Sequence, residues 1–266
     1  RISEGRAYDG SMDWGYFSNP TPGITNDISQ FYEYILTPPN ISLSSGWYDN
    51  QQTVTLTSEN LSQIYYTTNG DVPDTSDYLY IDTLFIDSTT VLSARSFRSN
   101  AYLPSQVIDR TFIFNEDNHN LPVISIITDS LNLWDWDSGI YVLGPNADTT
   151  FPYSGANFKM PWSKWSRLEF FDKEKQKQAE EEFDLEIHGG NSRGYAQKSF
   201  RLDFKSKYTG NLVYPIFSKK PYINKFNNLN LRNGGSSPAN YDRMRDGLIS
   251  EIAHSTHIDV MGYEPC

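Results

Sequence analysis

The run "HGGNSRGYAQKSFRLDF", His188 to Phe204, sets three glycines and three cations beside a strand-like stretch. Two roles compete for it. Glycines supply the positive φ that a tight connection between strands requires. Consecutive backbone N–H groups in such a turn also form a concavity that accepts an anion. Arg193 and Lys198 add charge of the right sign for phosphate. From Lys198 onward the chain alternates. Lys198 shares a face with Phe200, Leu202 and Phe204, while Ser199, Arg201 and Asp203 take the other. An ammonium on an apolar face either snorkels to water or meets a partner in a cleft. Kinases place a strand lysine in this way, reaching nucleotide phosphates beneath a glycine-rich turn.

Elsewhere the spacing of a catalytic centre is missing. The four histidines are His119, His188, His254 and His257. Only His254 and His257 are close in sequence, and no third ligand stands at a recognised interval, so no metal site is assigned. Cys266 has no paired base that would make it a nucleophile. "WDWDSG" (Trp134–Gly139) lacks the alternating oxygen ligands and closing Glu of a calcium loop and reads as a turn packing two Trp. No motif singles out two carboxylates for glycoside hydrolysis.

The elements that must position the glycine turn fall into two groups. From Pro38 to about residue 115, short alternating segments recur at roughly 8–12-residue spacing, the pattern of an all-β sandwich. In "QTVTLTS" (Gln52–Ser58), Val54 and Leu56 point one way and the threonines the other. "QIYYTTNGDVP" (Gln63–Pro73) runs into Asn69-Gly70, a strong turn signal, and "TTVLSARSF" and "RTFIFN" are further strands. "NEDNHN" (Asn115–Asn120) reads as a polar linker. Beyond it, "LPVISIITD", "SRLEFFD", "EFDLEIHGG", "KSFRLDFK" and "FNNLNLRN" read as strands of a mixed or antiparallel sheet. The charged "KEKQKQAEEE" between two of them reads as a solvated turn or short helix. Tyr241, Met244, Leu248 and Ile252 then fall at helical spacing, with Ser237 or Asn240 as cap and Pro238 at the first position.

With 266 residues the chain is long enough for two domains, and 38% hydrophobic and 15% aromatic content places it among folded, β-leaning chains. No apolar run reaches the roughly 18–20 residues needed to cross a bilayer. The net charge of −11 argues against nucleic acid as a partner. Residues 1–118 hold 5 Arg and no Lys against 15 acids, a balance of −10, whereas residues 119–266 hold 17 bases against 18 acids, a balance of −1. That break marks two units of different character. A single Cys excludes an internal disulfide framework and leaves export open. The chain begins at Arg1 rather than Met, so it is expected to be a piece of a longer protein in which a signal segment is not visible.

Three resemblances sharpen this reading. "GRAYDGSMDWGYFSNPTPGITN" is similar to the closing segment of lamin-tail domains, giving residues 1–37 as such an end plus linker. "SSGWYDNQQTVTLTS", "IYYTTNGDVPDTSDYLY", "TTVLSARSF" and "RTFIF" resemble the chitobiase/β-hexosaminidase C-terminal family, an Ig-like accessory sandwich, over about 38–115 (domain 38–117). "LPVISIITDSLNLWDWDSGIYV", "RLEFFD", "IHGGNSRGYAQKSFRLDF", "LNLRNGG", "RMRDGLISEIA" and "HIDVMGYEPC" resemble the spore-coat-protein-H (CotH) kinase family over nearly all of 120–266 (domain 118–266). The implied fold class is multidomain, an all-β Ig-like sandwich followed by an incomplete α+β kinase-like N-terminal lobe.

The CotH resemblance implies an exported, periplasmic or cell-surface atypical protein kinase using ATP and Mg²⁺ on protein Ser/Thr. The turn with Gly189, Gly190, Ser192, Arg193 and Gly194 would then cover the nucleotide phosphates, with Lys198 contacting them. Arg201, on the other strand face, is expected in a structural salt bridge. Arg232 lines the cleft or pairs structurally. Arg245 and Asp246 sit on a helix placed like the one that orients the kinase lysine, and Asp246 is left with Lys198, Arg243 or a plain helix-surface pair. The family's catalytic and metal-binding acids are expected beyond Cys266, so this stretch by itself is expected to be inactive. The alternative is a non-catalytic surface scaffold whose sandwich contacts glycan or protein.

Overall fold

The computed structural model describes residues 2–26, 30–59, 61–99, 101–114, 120–205, 208, 210–233, 245–256 and 258–266. The chain forms two compact units, residues 1–116 and 117–266. It is mostly β-sheet with few helices.

In the first unit, β1 (Ser3–Arg6), β2 (Trp14–Phe17) and β3 (Phe31–Tyr32) make a small antiparallel sheet. Then come β4 (Tyr34–Ile35), β5 (Asn40–Ile41), β6 (Gly46–Tyr48), β7 (Gln52–Val54), β8 (Leu56–Thr57), β9 (Gln63–Thr67), β10 (Tyr78–Leu79), β11 (Leu84–Ile86), β12 (Thr90–Phe97), β13 (Tyr102–Leu103) and β14 (Ile108–Phe114). The main sheet has the order β10-β9-β12-β14-β6, and the pairs β11-β7 and β5-β8 share a core with it. That core holds Ile41, Val54, Leu56, Ile64, Ile86, Leu92, Ala94, Phe112 and Phe114. Val54 and Leu56 are both buried, as their alternation requires. The expected single strand breaks between them, because Thr55 turns to exchange backbone and side-chain bonds with Ser42. Gly70 takes φ +85°, which the Asn69-Gly70 turn demands.

The second unit is built on an antiparallel five-stranded sheet in the order β15-β16-β17-β18-β21. Its strands are β15 (Val123–Ile127), β16 (Ser163–Phe171), β17 (Lys177–His188), β18 (Ser199–Asp203) and β21 (Asn228–Leu231), with β19 (Leu212–Val213) pairing β20 (Lys225–Phe226) beside it. Helix α1 (Ser130–Trp134) is capped by the Asp129 carboxylate, and α2 spans Arg245–Ser255. The sheet is two-sided. Leu168, Phe170, Phe183, Leu185, Ile187, Leu202 and Phe204 fill one face and form the core with Ile140, Phe158, Leu212 and Phe226. Register puts Arg167, Glu169, Glu182, Asp184, Glu186, His188, Arg201 and Asp203 on the other.

Three expectations are corrected. "KEKQKQAEEE" is not a loop or helix: the hairpin turn is confined to Asp172–Gln176 and β17 already begins at Lys177. The polar composition hid a strand whose Lys177 bridges Glu169 at 3.1 Å and Glu180 at 2.6 Å across the polar face. The tryptophans of "WDWDSG" are not packed away. Both are more than half exposed, Trp134 leaning on Tyr141, while Asp135 organises the turn by accepting bonds from Asp137 and Ser138. The helical stripe is not covered either, since Leu248 and Ile252 are exposed. Residues Ser237, Pro238, Asn240, Tyr241, Arg243 and Met244, like His119, His257 and most of the 115–120 linker, lie outside the described residues.

Candidate functional site

The glycine turn joins β17 to β18 at one end of the sheet. Residues Asn191–Gly194 form a single 3-10 turn. Gly189 takes φ +112°, which favours glycine, and a Cβ there would lie 2.4 Å from Ser192 Oγ, so that the Ser192 hydroxyl would have to shift. Gly194 packs beside the Tyr153 ring, where a Cβ would lie 3.0 Å from the nearest ring carbon. Arg193 folds back over the turn, its Nε donating to Gly189 O at 2.7 Å and its NH1 to Lys159 O at 3.4 Å. Lys159 in turn reaches Gly190 O at 3.4 Å. No sequence spacing pointed to Lys159, because it arrives from the Asn157–Lys159 turn far back along the chain.

Lys198 sits under this assembly. It lies just ahead of β18 on the apolar face and is 7% exposed. Its Nζ donates to Tyr195 O at 2.9 Å and stands 4.2 Å from the Phe158 ring centre and 4.9 Å from that of Tyr141. Tyr141 also clamps the segment directly: its hydroxyl donates to Ala196 O and accepts from the Lys198 N–H. Two ring faces and one carbonyl are weak compensation for a desolvated ammonium. Burial, helped by nearby Lys159, pulls the Lys198 pKa down to about 8. The turn therefore gathers Lys159, Arg193 and Lys198, and the acceptors these cations find are backbone carbonyls.

The remaining candidates lie elsewhere. Arg232 pairs with Asp246 of α2 at 2.9 Å, so among the described residues Asp246 is matched with Arg232 and not with Lys198, while Arg243 lies outside the described residues. Arg245 opens α2. Cross-strand register places Ser199 opposite His188, and Asn230, Arg201 and Glu186 in the next row on that face, opposite Lys198, while Arg232 follows directly on the end of β21. Arg201 forms no ion pair with any described residue, and its Nε is buried without a hydrogen-bond partner. Glu186 stands opposite it in the ladder, and no ion pair joins the two. His188 is held below its ordinary pKa by burial first, then by Arg193, Arg201 and Arg232, with Glu186 opposing. Further along the same face, Asp184 accepts from Lys205 at 2.6 Å and from the Tyr208 hydroxyl, so that part is closed by its own partners.

The donor set at the turn fits a polyphosphate. It does not fit Mg²⁺, since the groups gathered there are cations, and among the described residues no group of three or more His, Cys, Asp or Glu is arranged to hold a metal. No helix among them is long and apolar enough to cross a membrane.

Residues 43–109 match the family model of the chitobiase/β-hexosaminidase C-terminal domain, and the first unit carries that domain. The match covers β6 to the start of β14. No curated protein and no solved structure matches the chain.

Proposed function

We propose that residues 117–266 bind the phosphates of a nucleotide at the Gly189–Gly194 turn, as part of a CotH-type kinase-like protein in which the chitobiase-type domain is accessory. The observation that carries this reading is the gathering of Lys159, Arg193 and Lys198 at one glycine turn, where the acceptors they find among the described residues are backbone carbonyls. Such a group of cations is stabilised when an oxyanion enters, and phosphate offers the most negative charge per contact. A strand, the glycine turn, further strands and then a helix, with an ion pair from the residue after β21 to that helix, also parallels the arrangement by which kinases hold a strand cation. Phosphoryl transfer to protein Ser/Thr further needs a positioning carboxylate and metal ligands. The turn supplies neither, so the reading assigns these residues binding of ATP. Residues 1–37 as the end of a lamin-tail-type module plus linker, and an exported or cell-surface setting, belong to the same proposal.

Isothermal titration of the 266-residue chain with ATP tests it. Saturable binding that weakens by about tenfold or more in Lys198→Met is the expected result, the scale of one lost charge-assisted contact. A chain that shows no saturable ATP binding sinks the reading.

A further inference from the structure

The opposite face of the second unit's sheet carries a group of cations that the turn itself does not explain. Three guanidinium groups, those of Arg193, Arg201 and Arg232, bear on His188, which sits half-buried at the end of β17. Two acids face them: Asp246, which holds Arg232 at 2.9 Å, and Glu186, which stands opposite Arg201 without an ion pair. Arg201 is half-buried between β17 and β21, has no ion pair, and keeps its Nε–H buried without an acceptor. Further along this face Lys177 pairs with Glu169 and Lys205 with Asp184. A buried guanidinium donor without an acceptor is uncommon in folded proteins and points to an oxyanion that completes it.

We propose that Arg201 and Arg232, beside His188, form a phosphoryl-oxyanion site on the polar face of the sheet, so that the phosphate chain is gripped around the strand end rather than only on the Lys198 side. This rests on the reading of the turn as a nucleotide-phosphate site and assigns Arg201 and Arg232 as binding residues, with Asp246 orienting Arg232. Cross-strand neighbours on one face stand about 5 Å apart and diagonal ones about 7–8 Å. That spacing lets two guanidinium forks converge on one phosphate group.

Pyrophosphate and ATP, titrated separately into the 266-residue chain, test the assignment. Arg201→Gln and Arg232→Gln are each expected to weaken pyrophosphate by about tenfold to a hundredfold. Lys173→Gln, a charge removed at the far hairpin, leaves it unchanged. The His188 imidazole, followed by NMR, is expected to titrate at higher pH once pyrophosphate is bound. This readout needs no variant, so it holds even where Arg201→Gln fails to fold. Wild-type affinity in both arginine variants, no pyrophosphate binding, or an unmoved His188 overturns the site. Pyrophosphate binding with no ATP binding keeps this site and removes the nucleotide reading. ATP binding lost in Lys198→Met but retained in both arginine variants does the reverse.

Discussion

Burying an ammonium against ring faces and a carbonyl is a cost that packing alone would not select, and Lys198 bears it at 7% exposure. Its pKa of about 8 against 10.5 for the ordinary side chain fixes the sign of the pH dependence. Between those values the unfolded chain binds more protons than the native one, so stability rises with pH across that window. Lys198→Met keeps the length of the side chain and removes the charge. At pH 7 it is expected to raise unfolding stability, by at most on the order of 3 kcal/mol, less the loss of the Tyr195 bond. The gain should shrink from about pH 8 and vanish near 10.5. Urea denaturation of both proteins at pH 7 and pH 9.5 reads this directly. A variant that is less stable at both pH values would mean that the Tyr195 and aromatic contacts outweigh desolvation. The face that Lys198 occupies was legible in the sequence because a period of two leaves no choice once Phe200, Leu202 and Phe204 are buried or half-buried together. Lys159 and the Arg232–Asp246 pair were not legible. Their contacts are set by how distant segments meet, and no residue spacing encodes that.

The turn is an element whose conformation depends on a single residue. Gly189 at φ +112° lies outside the region open to L side chains, and the Ser192 hydroxyl fills the space a Cβ would take. Gly189→Ala is expected to cost about 1–3 kcal/mol of stability. It should also weaken ATP together with pyrophosphate, because displacing Ser192 moves Arg193, whose Nε is anchored on Gly189 O. Thermal melts and the titrations separate the two effects, and unchanged affinity at reduced stability would detach the turn from ligand binding. At this scale the sequence was readable wherever apolar and polar residues alternate cleanly, as in β12 and β18. It misled where the solvent-facing half of a strand is itself charged. Lys177–Glu182 looks like a loop because its pairing energy comes from β16, including the Lys177–Glu169 bridge, and not from its own apolar pattern.

Each unit has its own buried cluster, built from residues close in sequence to one another: Val54, Leu92 and Phe112 in the first, Phe183, Leu185 and Leu202 in the second. A segment with its own core is the physical requirement for independent folding. The charge balance separates along the same line, −10 over residues 1–118 and −1 over 119–266. The cations that would meet an anionic ligand are those of the second part. Produced alone, residues 117–266 are expected to unfold cooperatively and to bind pyrophosphate about as tightly as the whole chain, and more tightly at low than at high ionic strength. Residues 1–116 alone are expected to fold and to show no binding. Titrations of both pieces at 20 mM and 300 mM salt (chosen to span a Debye length of about 20 Å to 6 Å) carry the test. If binding appears only when the two units are covalently joined, the site cannot belong to the second unit alone, and the cations around His188 and Lys198 are structural.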